Sequence, residues 1–287
     1  MQTQAYHIFA PETCRTSVVF ASPHSGNDYP EWFVRRSLLN AHTIRSSEDA
    51  FVDQLFADAP CFGAPFLVAN APRALLDLNR AAEELDPALI QGVRKVGHNP
   101  RVASGLGVIP RVVANGRAIY HGKMSRAEAD HRVEHYWRPY HRALTNLLAA
   151  AHNQFGEAIL IDCHSMPHEA VAGAARRSGN APEIVLGDRF GAAADVEIVD
   201  RIEAAFVRAG FTVSRNTPFA GAYVTQQYGR PHRRQHAIQV EIDRALYMDE
   251  ARIAPLPEFD SFRTRLRSVI AEISEIGAAP EQDLAAE

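Results

Sequence analysis

The chain has 287 residues, 46% hydrophobic and 22% charged, with a formal net charge of -4. That make-up fits an ordinary globular α/β protein long enough to bury a sizeable core. The slight acidity argues against a dedicated nucleic-acid binder, which needs a basic excess to neutralise phosphates, and no apolar run reaches the length of a membrane span.

In chain order, strand-like runs fall at 17–21, 65–69, 158–162, 184–186, 211–214 and 237–242. Helical patterns lie between several of them, and this alternation predicts an α/β sandwich. Glu48-Asp49 opens a predicted helix running through Phe51, Val52, Leu55 and Phe56. Residues 83–122 are rich in Gly, Pro, Asn and Arg without sustained period, and read as a long excursion over the site. The clearest helix starts at Ser125, with Glu128 completing a capping-box pattern; it continues to about residue 151, and Gly156 stops it. Two more are predicted at 193–209, ended by Gly210, and at 261–276, ended by Gly277. The small, acidic tail from 278 is predicted to fray, and the chain reads as one domain. Cys14, Cys61 and Cys163 are odd in number and lack thiolate-cluster spacing. With no signal-peptide pattern at the N-terminus, they predict a reducing, cytoplasmic setting.

Two apolar runs end in a polar histidine: Val18-Val19-Phe20-Ala21-Ser22-Pro23-His24-Ser25-Gly26 and Ile159-Leu160-Ile161-Asp162-Cys163-His164-Ser165. In an α/β protein such ends open onto the carboxyl edge of the sheet, where ligands bind. Two histidines delivered there suggest a metal site, which hydrolytic zinc completes with a carboxylate and water. His24 is alternatively a turn histidine bonded to backbone. Glu48-Asp49 offers the carboxylate, or simply a favourable dipole partner at a helix start. Asp162 is placed to orient an imidazole, and Cys163, alternating away from His164, is expected in the core.

Arg73, Asp77, Asn79 and Arg80 crowd one short segment. Guanidinium groups grip carboxylates through paired hydrogen bonds, and one lying over a scissile carbonyl stabilises an oxyanion; the bland reading pairs Arg80 with Asp77 or Glu83. In Gln239-Val240-Glu241-Ile242-Asp243, alternation puts Gln239, Glu241 and Asp243 on one face. A carboxylate among apolar neighbours has the raised pKa that a general base needs, unless it pairs with Arg244. Asn216 to Tyr223 reads as a loop closing over substrate, with Tyr223 a proton donor or substrate contact. His131, His135 and His141 lack a His-Glu-x-x-His pattern and read as a polar helix face.

Pro-His-Ser-Gly at 23–26, Asp-Leu-Asn-Arg at 77–80, Asp-Cys-His-Ser at 162–165, Gly-Asp-Arg-Phe-Gly at 187–191, Asn-x-Pro-Phe-Ala-Gly-Ala-Tyr at 216–223 and Gln-Val-Glu-Ile-Asp-Arg-Ala-Leu-Tyr-Met at 239–248 occur in that order across nearly the whole chain. Together they resemble the N-formylglutamate amidohydrolase family. The resemblance implies a fold similar to the zinc carboxypeptidases and aspartoacylases, with a mixed central sheet between helices. It implies Zn²⁺, or another divalent metal, on His24, His164 and either Asp49 or Glu48, with Asp49 fitting the family's acidic position better. It further implies Glu241 as general base, Arg73 as carbonyl polariser, and Asn79 with Arg80 as carboxylate clamp. The implied reaction releases formate and glutamate from N-formyl-L-glutamate, as in one route of histidine degradation; the alternative is a zinc deacylase or carboxypeptidase-like hydrolase of another N-acyl amino acid. The expected partner is a small-molecule N-acyl amino acid, with neither nucleic acid nor membrane.

Overall fold

The computed structural model describes residues 4–94, 97, 99–172 and 181–278. Seven strands form one mixed sheet in the order β1-β3-β2-β6-β9-β7-β8. They are β1 (Tyr6–Phe9), β2 (Val18–Ser22), β3 (Phe66–Ala69), β6 (Ala158–Met166), β7 (Ile184–Gly187), β8 (Val213–Arg215) and β9 (Gln235–Asp243). A separate ribbon, β4 (Val112–Val113) with β5 (Arg117–Ala118), lies in the 83–122 segment. Strands β3, β2, β6 and β9 are mutually parallel, while β1 and β7 each run antiparallel to their neighbours β3 and β9.

The strands nearest the centre are apolar on both sides because both faces are covered, as parallel sheets require. One face carries Phe20, Ile161, Cys163, Ile238 and Val240, packed against helices Val196–Arg208 and Phe259–Ile276. The other carries Val19, Leu67, Leu160 and Ala237, packed against helix Arg138–Phe155. This is the three-layer sandwich with a mixed sheet that the sequence predicts. Along β6 and β9 the second face changes character toward the carboxyl end: Leu160 gives way to Asp162 and His164, and Ala237 to Gln239 and Glu241. The apolar core thus ends where the chemistry begins.

Local rules account for several boundaries. Ser125 Oγ accepts from Glu128 N (3.2 Å) to start helix Arg126–Arg132, but the Glu128 carboxylate pairs with Arg36 and Arg132 instead of closing the box. A π-helical turn, Val133–Trp137, then joins that helix to Arg138–Phe155, which stops at Gly156 with φ 72°. The predicted start at 193 moves to Val196, because Ala193 is buried and its carbonyl accepts from Ala237 N of β9. The helix expected from Glu48 is broken: a 3-10 turn, Thr43–Ser47, ends at Glu48 in extended backbone, and only Val52–Leu55 is α-helical beyond it. Residues 83–122 are not wholly irregular, since Leu89, Ile90, Val108, Ile109 and Ile119 are buried there. Strand β1, missed in the sequence, adds an edge to β3. Of the tail expected to fray, Ala278 bridges to Thr16, and 279–287 lie outside the described residues.

His131 and His135 lie on an exposed helical face as expected, but His141 does not. It is buried, donating through Nε2 to Leu78 O (2.9 Å) and accepting at Nδ1 from Tyr228 Oη (2.9 Å). Burial lowers its pKa to about 4. Between that value and the ordinary 6.5 the unfolded chain binds the extra proton, so stability falls as pH drops through this window. The loss expected at the acid end is about 3 kcal/mol. Chemical denaturation at pH 7 and pH 4.5 should show a flatter pH dependence in His141→Gln than in the parent; an unchanged slope would acquit His141.

Candidate functional site

Four parallel strands bring their carboxyl ends to one cavity of about 780 Å³. His24 comes from the turn after β2, and Asp49 from the break between two short helices. Arg73, Asp77, Asn79 and Arg80 follow β3, His164 lies near the end of β6, and Glu241 near the end of β9. The turn after β2 is packed tightly against the segment after β3: a Cβ on Gly26 would lie 2.3 Å from Ala71 O. Parallel register sets His164 beside Glu241 and Asp162 beside Gln239.

His24, Asp49 and His164 present one ligand atom each, all within 4.8 Å of one another, and all three residues are buried. Each imidazole has a carboxylate close to its far nitrogen. His24 Nε2 donates to Asp77 Oδ1 at 2.7 Å, and His164 Nε2 lies 3.0 Å from Asp162 Oδ2. Both Nδ1 atoms therefore converge on Asp49 Oδ2, at 3.5 Å from His24 and 2.9 Å from His164. Buried His24 Nδ1 has no hydrogen-bond partner among the described residues. Two Nδ1 atoms facing one carboxylate, each ring with a carboxylate behind it, form a donor set suited to a divalent cation that displaces the proton between them. Burial opposes charging His164, but Asp162 and Asp49 outweigh it and hold its pKa well above the histidine range. Asp49 itself is held well below the carboxylate range by both histidines, against the effect of burial.

The acidic pair divides by direction. The Glu48 carboxylate accepts from Tyr29 Oη (2.6 Å) and from Arg45 Nε and Nη2 (3.0 Å each), away from the histidines. Asp49 turns the other way, its Oδ1 accepting from Arg244 Nη2 at 2.9 Å. Arg244 thus pairs with Asp49 and not with Glu241. Glu241 instead accepts from Gln239 Nε2 (2.8 Å). Burial pushes the Glu241 pKa up to about 7, opposed by His164 and Arg73 and reinforced by Asp49.

The segment after β3 is arranged differently from the simplest expectation. Asp77 pairs with Arg73 (3.1 Å), not with Arg80, and none of the described carboxylates pairs with Arg80. Arg80 donates from Nε to Leu106 O (3.0 Å) and from Nη1 to Asn79 O (2.7 Å). Asn79 is engaged inside the protein: Oδ1 accepts from Val224 N (2.8 Å), while Nδ2 lies 3.4 Å from Gln239 Oε1 and 3.2 Å from His164 Nε2. Tyr223 is not part of the cavity wall. Its ring packs against Trp137 and His141, because the helix that begins there turns it toward the neighbouring helices. The preceding residues, Pro218 to Ala222, do line the cavity. The Gly-Asp-Arg-Phe-Gly segment supports this loop, with Asn216 Nδ2 donating to Asp188 Oδ1 at 2.6 Å. Cys163 packs in the core as expected.

Sequence reasoning left Asp77 only as an Arg80 partner and did not single out Arg101, which also lines the cavity. Gln239 shared a face with Glu241 by alternation and opened the motif at 239–248, but neither gave it a role; Arg101 lay in an irregular stretch and gave no signal.

A family model described as N-formylglutamate amidohydrolase matches residues 16–248. The N-formylglutamate deformylase of Pseudomonas aeruginosa is 28% identical over 270 residues, covering 91% of this chain and 92% of that protein. Its namesake from Pseudomonas putida is 28% identical over 243 residues, covering 82% and 83%. A crystal structure of N-formylglutamate amidohydrolase from Ralstonia eutropha superposes with a TM-score of 0.89 at 32% identity, over 96% of this chain and 99% of that one. By the family model and by these relatives, the chain belongs to the N-formylglutamate amidohydrolase family and is a hydrolase acting on an amide.

Proposed function

We propose that this enzyme hydrolyses the formyl amide of N-formyl-L-glutamate to formate and glutamate, using a divalent cation, Zn²⁺ by preference, held by His24, Asp49 and His164. The observation that carries the metal reading is the convergence of two carboxylate-backed Nδ1 atoms on Asp49 Oδ2. The substrate reading rests on relatives that bear the deformylase name. A cation in this donor set supplies Lewis acidity toward the formyl oxygen and toward water.

The chain's own groups do the rest. Glu241 takes the proton of the attacking water as the C–O bond forms, and passes it to the amine nitrogen as the C–N bond breaks. Arg73 is anchored by Nε on Asp77, and its remaining guanidinium hydrogens serve the oxyanion of the tetrahedral species. Arg80 holds the substrate α-carboxylate. Asn79 acts through others: it ties the backbone of Val224 to Gln239, which in turn fixes Glu241. Three free cysteines suit a reducing cytoplasm. Among the described residues no helix is long and apolar enough to cross a membrane.

Formate release from N-formyl-L-glutamate tests the reading, alongside a panel of other N-formyl and N-acetyl amino acids. Release is expected to stop on chelation and return with Zn²⁺. A folded, zinc-loaded sample that releases no formate would sink the substrate, and turnover of another panel member would replace it.

A further inference from the structure

Four guanidinium groups face the cavity: Arg73, Arg80, Arg101 and Arg244. Two are neutralised from within, Arg73 by Asp77 at 3.1 Å and Arg244 by Asp49 at 2.9 Å. Arg80 and Arg101 have no carboxylate within ion-pair distance among the described residues, and Arg80 Nη2 makes no protein hydrogen bond there. Leu106 links the Arg80 guanidinium to the Arg101 backbone: its O accepts from Arg80 Nε at 3.0 Å, and its N donates to Arg101 O at 2.8 Å. The short helix Pro100–Ala103 that carries Arg101 is itself pinned. Asn99 caps it, and Asn99 Nδ2 donates to Glu84 Oε2 at 2.8 Å. Burial lowers the Arg80 pKa, Asp77 opposes this, and the charges of Arg73 and Arg101 lower it further. Two positive charges thus line the same cavity close enough to repel, an arrangement that a doubly anionic ligand relieves.

We propose that Arg101 is the specificity residue of this cavity, receiving a second, side-chain carboxylate while Arg80 receives the α-carboxylate. The inference deepens the reading of the reaction given above and rests on it for the identity of the amide. It adds the residue that reads the side-chain carboxylate, a role that the motifs of the sequence leave unassigned. Arg101 stands on a helix distinct from every residue in the reacting centre. Its removal therefore acts on choice of substrate more than on the chemical step.

Two ratios test this, each taken within one protein so that a general loss of fold or metal cancels. The first is kcat/KM for N-formyl-L-glutamate over N-formyl-L-glutamine, whose side chain has the same shape without the charge. The second, read by calorimetry without turnover, is the affinity for glutarate over butyrate. Both ratios are expected at roughly 10- to 100-fold in the parent, the range of a charged hydrogen-bonded contact. Both should fall close to unity in Arg101→Gln and recover in part in Arg101→Lys. Equal use of the two formyl substrates by the parent, or ratios unchanged in Arg101→Gln, would overturn the proposal. If the parent releases no formate at all, the reaction reading fails separately. The glutarate ratio then decides: its loss in Arg101→Gln supports the dicarboxylate site, and its persistence removes it.

Discussion

Replacing Glu241 with Gln is expected to lower turnover of N-formyl-L-glutamate by roughly 10²- to 10⁴-fold, the usual contribution of a positioned general base. The substitution keeps the size of the side chain and its place next to His164 on the neighbouring strand. It also keeps an oxygen to accept from Gln239 Nε2, the 2.8 Å contact that holds the carboxylate in place. What it removes is the basic oxygen. Metal content by elemental analysis and the thermal unfolding midpoint should both match the parent, which separates a chemical role from a structural one. Normal turnover in a folded, metal-loaded Glu241→Gln would take this residue out of the mechanism, leaving no other described carboxylate so placed beside the cavity histidines without being paired to an arginine or a histidine.

The second large effect is expected at the acidic pair. Zinc is expected to stabilise the parent; Asp49→Asn should abolish that stabilisation, while Glu48→Gln should retain it. A ligand that binds only the folded chain stabilises it by about 4 kcal/mol at a thousandfold excess over its dissociation constant. Differential scanning fluorimetry with and without zinc reads this directly. The contrast follows from direction: Asp49 Oδ2 faces both Nδ1 atoms, whereas Glu48 is held by Arg45 and Tyr29. Asn is preferred to Ala at position 49 because it still offers Arg244 an oxygen, and a buried guanidinium stripped of its partner costs about 3–5 kcal/mol by itself. A zinc response of parental size in Asp49→Asn, or its loss in Glu48→Gln, would reassign the carboxylate ligand.

The sequence was most legible where one physical rule acted alone. Apolar runs covered on both faces announced β2, β3, β6 and β9, and glycines marked the ends of the long helices at 156 and 277. The strand-end histidines followed from that same pattern. Direction was not legible: nothing in Glu48-Asp49 says that extended backbone at Glu48 will send the two carboxylates opposite ways. Nor does composition distinguish His141 from His131 and His135, since its burial depends on Leu78 and Tyr228, which are 63 and 87 residues away. Tyr223 lies outside the cavity lining for a related reason. The loop before it lines the cavity, but a helix starting at Tyr223 turns its ring to the other side. Arg101 was invisible because its short helix depends on a contact with Glu84 and not on any periodic pattern of its own.

The order of the strands has a consequence for how the enzyme is made. Asp49 and His164 stand 115 residues apart, and Asp49 and Arg244 stand 195 apart. During synthesis the two imidazoles and Asp49 leave the ribosome well before β9, which inserts between β6 and β7 and carries Glu241. A nascent chain therefore holds His24, Asp49 and His164 while Glu241, and the guanidinium that pairs with Asp49, are still unmade. The proposed base thus arrives only with the last-translated strand of the seven-stranded sheet.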